Sequence, residues 1–212
     1  MHGVIILGAA GLAKEFALYV RRAGGFDSLT FVNDLQDGQT TLTIGRESFP
    51  VVKDWSFAHK HPFVVAVGSP GIKQLLVERA LQAGLDPHPT ILDPAAHNLC
   101  GANRLGVGGV VAPGCVITTN VTLGDYVTLN LNSTVGHDTT MGSFCTTNPG
   151  VHISGECVIG SHNEFGTGCI VRDRLAIGSR KTFGAQSAVV KDVPGDHPEV
   201  LVGVPAKPLA RR

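Results

Sequence analysis

An apolar residue returns at every sixth position through the second half of the chain. The repeat runs from Leu105 to Val189, and every position in it except Thr147 is apolar. An α-helix repeats its core face about every 3.6 residues and a strand about every 2, so neither sustains this period. A coil of stacked short strands does, because three hexads close one turn of about 18 residues. The pattern therefore predicts a three-sided prism with the repeating side chains inside.

Small residues and glycines flank this repeat. The residue two places before the apolar one is usually small or β-branched, as at Cys115 and Ser133, and would fill the space beside it. Glycine often follows the apolar residue, as at Gly136 and Gly142, and we expect it at the corners of the coil with a positive φ. One hexad alone buries little surface, so stability would come from stacking.

The N-terminal part of the chain shows a pattern typical of a small α/β unit. Apolar runs at 3–8, 29–32 and 63–68 predict buried strands, with a polar loop between the second and the third. A helix follows the first strand, and another begins at Pro70. The inward residues would be Leu12, Phe16 and Val20 in the first helix and Ile72, Leu75, Leu76 and Ala80 in the second. This order predicts an α/β domain over residues 1–88 with a small Rossmann-like parallel sheet.

A proline-rich junction at 87–94 separates this domain from a β-helix domain over residues 89–212. We expect the coil to begin near Leu99 and to end near Val190. The tail from Asp192 onward is rich in proline and glycine. It should therefore leave the prism as extended chain.

Composition narrows the possible functions. The chain has 17 basic and 17 acidic residues, which argues against nucleic acid or an anionic membrane as the partner. No stretch approaches the roughly 18 apolar residues of a membrane span. The five cysteines form no CxxC pair and are odd in number, which favours reduced thiols in a cytoplasmic protein.

The first candidate site is the turn from Gly8 to Gly11, between a strand and a helix. Backbone N–H groups at such a helix N-terminus bind phosphate well, although a plain tight turn explains the motif equally well. Asn33 and Asp34 follow the second strand, near where such folds contact a ribose or base. A strand-end turn accounts for them equally. Ser69, after the third strand, would face the same crevice.

The second candidate is His137, at a corner of the coil. A corner side chain projects outward, and an exposed histidine with a pKa near 6.5 is suited to take a proton from an amine or hydroxyl. The neighbouring Asp138 would orient the imidazole or stabilise its charged form. Asn130, about one hexad earlier, would hydrogen-bond the ring and fix its tautomer. A surface histidine without function is the plain alternative.

Two further histidines on the coil raise the possibility of zinc. His137, His152 and His162 would each have to bring a nitrogen within about 2.1 Å of one metal ion. They fall at different points of the hexad, two after, one before and three after the apolar residue. They therefore leave the prism in different places, and we predict no metal site.

The hexad repeat resembles the left-handed β-helix acyltransferases with hexapeptide repeats. Together with the N-terminal α/β domain, it resembles one branch, the bacterial nucleotide-aminosugar N-acetyltransferases and the related sialic acid O-acetyltransferases. The motifs that carry this resemblance are GAAGLAK at Gly8–Lys14, VND at Val32–Asp34, VAVGS at Val65–Ser69, LNLNSTVGHD at Leu129–Asp138 and VGVPAK at Val202–Lys207.

The resemblance implies roles for particular residues. His137 would be the general base, supported by Asp138 and contacted by Asn130. Acetyl-CoA, the co-substrate, would lie between coils of two subunits. Its expected contacts are Thr146 near the thioester, Gly155, Thr167 and Ala185 along the pantetheine arm, and Val204, Pro205 and Lys207 near the adenine. The nucleotide-sugar would place its phosphates at Gly8 and Gly11, its base near Asn33 and Asp34, and Ser69 in the same crevice.

The chain departs from the family pattern at three positions. Leu12 stands where the family often has a histidine in the first turn, which leaves the nucleotide open. Thr146 stands where the family commonly has a second histidine, and a hydroxyl cannot carry charge. Asp138 is one methylene shorter than the usual glutamate.

These observations predict a cytoplasmic homotrimer that transfers an acetyl group from acetyl-CoA to the amine of a nucleotide-linked amino-deoxysugar. O-acetylation of a sugar hydroxyl, as in the sialic acid enzymes, is the alternative. A zinc-dependent hydratase on the same prism and a non-catalytic trimeric scaffold are two further classes.

Overall fold

The computed structural model describes residues 3–33, 38–55 and 61–209. In the N-terminal part, six strands form one sheet with two helices. The strands are β1 (Gly3–Leu7), β2 (Ser28–Val32), β3 (Thr41–Ile44), β4 (Glu47–Val52), β5 (Pro62–Val65) and β6 (Asp86–Pro87), and the helices are α1 (Gly11–Ala23) and α2 (Pro70–Gln82). The strand order is β3-β4-β2-β1-β5-β6, and all pairs are parallel except β3 with β4.

The two helices pack on opposite faces of this sheet. Side chains of β1 alternate between the faces, so Ile6 joins Phe16 of α1 in one core while Leu7 joins Leu76 of α2 in the other. The predicted strands and helices are thus present. Asp34 lies outside the described residues.

The hairpin of β3 and β4 corrects the prediction of a polar loop. Leu42, Phe49 and Val51 are buried, and the ring of Phe49 meets that of Phe31 at 5.7 Å. Gly45 makes the turn with φ 61°. The alternation of apolar and polar residues on both sides of this glycine was the signal for a hairpin.

The predicted buried face of α2 is also partly wrong. Leu76 and Ala80 are buried as expected, but Ile72 and Leu75 are 43% and 39% exposed. Lys73 takes a place in the buried face and is 1% exposed. The helix is rotated toward the prism because this lysine reaches polar groups there.

From residue 91 the chain winds into a β-solenoid of short strands. Their bounds are β7 (Ile91–Leu92), β8 (His97–Asn98), β9 (Arg104–Leu105), β10 (Val110–Val111), β11 (Val116–Ile117), β12 (Thr122–Leu123), β13 (Thr128–Leu129), β14 (Thr134–Val135), β15 (Thr140–Met141), β16 (Thr146–Thr147), β17 (His152–Ile153), β18 (Val158–Ile159), β19 (Glu164–Phe165), β20 (Ile170–Val171), β21 (Ala176–Ile177), β22 (Lys181–Phe183), β23 (Ala188–Val189), β24 (Glu199–Val202) and β25 (Lys207–Pro208).

These strands form three sheets, which are the three faces of a prism. The first face contains β7, β10, β13, β16, β19, β22, β24 and β25, the second β8, β11, β14, β17, β20 and β23, and the third β9, β12, β15, β18 and β21. Val110 pairs with Thr128, and Thr128 with Thr146, so one turn takes 18 residues. We call the corner between the first and second faces the first edge, that between the second and third faces the second edge, and the remaining corner the third edge.

The interior of the prism matches the repeat. The apolar residues from Val111 to Val189 are buried, as are the small residues beside them. The polar exception, Thr147, is also buried, and its hydroxyl hydrogen-bonds the Thr128 carbonyl and the Ser133 hydroxyl at 3.3 and 3.2 Å. A buried polar group costs little when it is paired in this way.

The expectation that the glycines after the apolar residues have a positive φ is wrong. Positive φ occurs three places after the apolar residue, as at Asn120, Asp138 and Glu156, and not at the glycine that follows it directly. That glycine is needed for a different reason, which is the closeness of the next coil. A Cβ on Gly136 would lie 2.5 Å from the nitrogen of Gly155, and one on Gly142 would lie 2.7 Å from the nitrogen of Ser161.

Both ends of the coil extend beyond the prediction. It begins at Ile91 instead of near Leu99, and the tail does not leave the prism. Strand β24 pairs in parallel with β22, and β25 pairs antiparallel with β24. Leu201 is buried next to Phe183, and buried Lys181 donates to the His197 carbonyl and to Glu199 at 3.0 and 3.2 Å. These contacts hold the tail on the first face.

Lys73 joins α2 to the first face of the prism. Its Nζ donates to the carbonyls of Tyr126 and Cys145 at 3.1 and 3.2 Å and contacts the hydroxyls of Thr128 and Thr146 at 3.0 and 2.8 Å. Burial lowers the pKa of this amine from 10.5 to about 7. A second tie lies on α1, where Arg22 donates to the buried Asp93 at 2.8 Å.

Replacing Lys73 with methionine should change how stability depends on pH. Because the folded-state pKa is about 7 and the unfolded one is near 10.5, the unfolded wild-type chain binds more protons between these values. The free energy of unfolding of the wild type therefore rises with pH across this window, and the gain is lost as pH falls to about 7. Urea unfolding should show this rise in the wild type and not in Lys73→Met.

At about pH 9 the variant should also be less stable by about 1–3 kcal/mol, since buried carbonyls lose their donor. The exposed Lys14→Met is the matched control and should follow the wild type. Parallel curves for wild type and Lys73→Met would contradict this account.

Candidate functional site

His137 and Asp138 lie on the second edge of the prism, just after β14. The imidazole Nδ1 is 2.8 Å from Oδ2 of Asp138, and both side chains are about half exposed. The other oxygen of Asp138 accepts a hydrogen bond from Nδ2 of Asn120 at 3.0 Å. Hydrogen bonds from Asn120 and His137 hold the pKa of Asp138 below its usual range.

This arrangement fixes which nitrogen of the neutral imidazole carries the proton. Asp138 is ionised and accepts only, so Nδ1 of neutral His137 must be the donor. Nε2 then carries the free lone pair and faces away from the carboxylate. A half-exposed imidazole with Nε2 unprotonated and Nδ1 held by a carboxylate is the geometry of a general base.

The ring of His137 packs against Gly155, which lies one coil further along the same edge. A Cβ on Gly155 would lie 2.6 Å from Nε2, 2.8 Å from Cε1 and 2.9 Å from Cδ2. The missing side chain therefore makes the space in which the imidazole lies. Of the predicted cofactor contacts, Gly155 is the one that the structure brings to His137.

Asn130 is not brought to His137 within one chain. It lies on the first edge, is 6% exposed, and its Oδ1 accepts from the backbone nitrogen of Leu131 at 2.8 Å. Seven residues carry the chain to the next edge, whereas 18 residues return it to the same one. The asparagine that the structure brings to the His137–Asp138 pair is Asn120, which bonds Asp138 and not the imidazole, and its spacing of 18 residues from Asp138 was the signal for it.

Thr146 is likewise distant from His137. It lies on the first face, is 1% exposed, and its hydroxyl contacts Lys73 Nζ and donates to the carbonyl of Gly68 at 2.7 Å. This side chain therefore takes part in the contact between the prism and the loop after β5.

The other expected cofactor contacts occupy two further places. Thr167 and Ala185 follow β19 and β22 on the first edge, where Thr167 borders an open groove of about 490 Å³. Val204 is exposed in the turn between β24 and β25. Pro205 and Lys207, from the same turn, line a largely apolar cleft of about 330 Å³ at the end of the prism.

In the α/β unit, the structure brings the first turn and Asn33 together. Gly8 has φ 105°, and a Cβ there would lie 3.1 Å from the Ala66 carbonyl oxygen. Gly11 begins α1, and a Cβ there would lie more than 4 Å from the surrounding atoms. Gln39, which we did not single out, donates to the Ala9 carbonyl at 3.0 Å and contacts Asn33 at 3.4 Å.

Ser69 is exposed at the start of α2 and makes no side-chain capping bond to that helix. It borders a cleft of about 420 Å³ between α2 and the third edge, where His162 and Arg180 also lie. Gly68 and Ser69 follow β5, which neighbours β1 in the sheet. They therefore lie at the same end of the sheet as the turn after β1, which is the carboxyl end of these parallel strands.

The three histidines considered for zinc stand apart. His137 is on the second edge, His152 on the second face with Thr134 at 3.0 Å, and His162 on the third edge with Gln74 at 2.8 Å. Over residues 3–33, 38–55 and 61–209, no three His, Cys, Asp or Glu side chains are grouped closely enough to hold a metal ion.

Two other findings bear on the class of protein. No helix in the described part of the chain is long and apolar enough to cross a membrane. All five cysteines are free, and four of them are buried while Cys100 is partly exposed.

Solved structures match this chain over nearly its whole length. The acetyltransferase domain of PglB from Neisseria gonorrhoeae FA1090 is 29% identical with a TM-score of 0.86, and the match covers 99% of this chain and 100% of that one. A His-to-Asn variant of perosamine N-acetyltransferase from Caulobacter crescentus, in complex with CoA and GDP-perosamine, is 27% identical with a TM-score of 0.87, covering 99% and 97%.

Two more comparisons complete the finding. The PglB domain was also solved with acetyl coenzyme A, at 29% identity and a TM-score of 0.87. WeeI from Acinetobacter baumannii AYE, at 24% identity and a TM-score of 0.82 over 97% of this chain and 99% of that one, shares the fold. No family model matches the sequence, and no curated protein matches it.

Fold and site together define a class, the β-solenoid acyltransferases with an exposed histidine on a prism edge. The structural matches confirm the closer resemblance seen in the motifs, which is to the hexapeptide-repeat sugar N-acetyltransferase family.

A Gly155→Ala substitution should displace His137 without unfolding the prism. The added Cβ meets the imidazole, which can rotate away, so the hydrogen bond from Nδ1 to Asp138 should be lost. A crystal structure of the variant, or the nitrogen shifts of the His137 ring by NMR, measures this. Gly101, on the same edge three coils before Gly155, has open space around it. Gly101→Ala should leave the ring unmoved, and an unmoved ring in Gly155→Ala would refute the packing described here.

Proposed function

We propose that this chain transfers an acetyl group from acetyl-CoA to the amine of a nucleotide-linked amino-deoxysugar. The observation that carries the proposal is the His137–Asp138 pair, which leaves Nε2 free to accept a proton on an exposed edge. Its support is the match over nearly the whole chain to enzymes solved with acetyl-CoA, CoA and GDP-perosamine.

In the proposed reaction, the sugar amine attacks the carbonyl carbon of the thioester. Nε2 of His137 takes the proton from the attacking nitrogen, Asp138 stabilises the resulting imidazolium, and backbone N–H groups of the coil would stabilise the negative oxygen. As the intermediate collapses, the C–S bond breaks, the amide remains on the sugar, and the proton passes from His137 to the leaving CoA sulfur.

The α/β unit, residues 1–88, would bind the nucleotide part of the substrate in a Rossmann-like manner. The turn from Gly8 to Gly11 leads into the N-terminus of α1, which offers backbone N–H groups without a side-chain cap, and such a helix end suits phosphate. Asn33 and Asp34 would approach the base or ribose. Ser69 would complete the crevice at the switch between β1 and β5.

The prism, residues 89–212, would bind acetyl-CoA together with a neighbouring subunit, and we infer a left-handed coil in a homotrimer. Gly155 lies on the second edge with His137, whereas Thr167 and Ala185 lie on the first. One cofactor would contact both groups where the second edge of one copy meets the first edge of another. Val204, Pro205 and Lys207 would then lie near the adenine.

Two features of the prism support this assembly. The α/β unit covers part of the first face through Lys73, while the second and third faces present apolar side chains outward. Ile170 on the second face is 51% exposed, and Val158 on the third is 61% exposed.

The free cysteines suit a reducing compartment, and we place the enzyme in the cytoplasm.

Removing the base should abolish most of the activity. His137 is exposed, so His137→Ala and His137→Asn should fold normally, but kcat should fall by about 10²–10⁴, the usual contribution of a positioned base. CoA release from acetyl-CoA with GDP-perosamine and other nucleotide-aminosugars measures this, and the hydroxyl analogue of an active substrate separates N- from O-acetylation. Near-full activity of both variants would exclude this mechanism.

The oligomeric state is a separate prediction. Light scattering at micromolar concentration should give three times the subunit mass. Ile170→Arg and Val158→Arg should weaken the trimer because each would bury an unpaired charge. Leu81→Arg, on the exposed side of α2, should not. A wild-type monomer would contradict the shared site.

A further inference from the structure

We propose that Asn120 is a positioning residue that holds Asp138, and through it the imidazole of His137, in the geometry of a general base. The residue lies one coil before Asp138 on the second edge and does not touch the ring itself. The consequence for catalysis rests on the proposed function, whereas the consequence for the imidazole does not.

The geometry gives each oxygen of Asp138 its own partner. Oδ1 accepts from Nδ2 of Asn120 at 3.0 Å, and Oδ2 accepts from Nδ1 of His137 at 2.8 Å. Because the Asp138 side chain is half exposed, one hydrogen bond alone would leave it free to turn toward water. Two bonds from opposite sides fix the plane of the carboxylate, and that plane fixes the ring.

The backbone explains why these two side chains meet. Asn120 and Asp138 stand in the same position of successive coils and have φ values of 56° and 57°. Asparagine and aspartate tolerate this left-handed conformation better than most residues. Identical backbone conformations point both side chains in the same direction, one above the other.

The next two coils show what a different residue would do. At the same position, Glu156 is bound by Arg174 through two bonds of 3.1 and 3.0 Å, and Arg174 also lies 3.5 Å from Asp173. These charges therefore pair with one another. The amide of Asn120 is neutral, so it fixes Asp138 without cancelling the charge that the imidazolium needs.

The chemical outcome is control of the tautomer. Asp138 holds the proton of neutral His137 on Nδ1 and leaves the lone pair on Nε2. If Asp138 turns away, Nε2–H becomes competitive, and a ring protonated there cannot accept the proton of an amine.

The test is NMR of ¹⁵N-histidine-labelled protein, with the His137 signal identified by its loss in His137→Gln. Asn120→Gly keeps the left-handed backbone accessible and removes the amide. We expect the wild type to show mainly the Nδ1–H form and Asn120→Gly to shift population toward Nε2–H. Arg174→Gly, at the same position three coils after Asn120, is the matched control and should leave the ring as in the wild type.

A second variant removes the donor but keeps the shape of the side chain. Asn120→Asp places a carboxylate beside Asp138 that cannot donate to it, so it should shift the tautomer of His137 in the same direction as Asn120→Gly does. If an active substrate is found, Asn120→Gly should lower kcat about tenfold with little change in KM, the size typical of an orienting outer partner.

The outcomes separate the two hypotheses. An unchanged tautomer in a folded Asn120→Gly protein overturns the role of Asn120, whatever the enzyme acetylates. A shifted tautomer together with no acetyl transfer by the wild type supports the positioning role and counts against the proposed function. Equal shifts in Arg174→Gly would mean that the ring responds to any change on this edge, and would also overturn the proposal.

Discussion

The structure depends on the stacking of coils in register, with each residue directly beside the one 18 positions away. Most backbone hydrogen bonds of the prism run from coil to coil, for example from Gly136 to Ile153 at 2.8 Å, so each coil depends on its neighbours to pair its peptide groups. The contacts within the candidate site follow from this register. Asn120 meets Asp138, and His137 meets Gly155, because both pairs are separated by one turn. A residue inserted between Asn120 and His137 would separate the first pair, and one inserted between Asp138 and Gly155 would separate the second.

The closeness of the coils also decides where side chains are allowed. At Gly136 the next coil leaves no room for a Cβ, and at Gly155 the space is taken by an imidazole. The left-handed residues fall at a third position, where Asn120 and Asp138 point outward. Glycine directly after the apolar residue therefore marks contact between coils, whereas residues with positive φ occur at the corners of all three edges, Asn120 and Asp138 among them.

The period of six was sufficient to predict the prism, its apolar interior and the exposure of His137, because burial repeats with the backbone. It was insufficient for distances along the surface. Asn130 looked near His137 by counting hexads, yet a hexad moves the chain around the prism and only a full turn returns it. The hairpin at 41–52 was missed although the alternation around Gly45 indicates it. The burial of Lys73 was missed because it depends on acceptors in a distant segment, which no local pattern records.

The departure at Thr146 and the burial of Lys73 belong together. An ammonium group that loses its water needs acceptors on all sides, and the Thr146 hydroxyl accepts from Nζ while donating to the carbonyl of Gly68. A protonated histidine in that place could not accept a hydrogen bond from Nζ. The threonine therefore suits the junction that orients the loop carrying Ser69. In this chain, position 146 serves the placement of the α/β unit on the prism, and the proposed base, His137, lies away from it on the second edge.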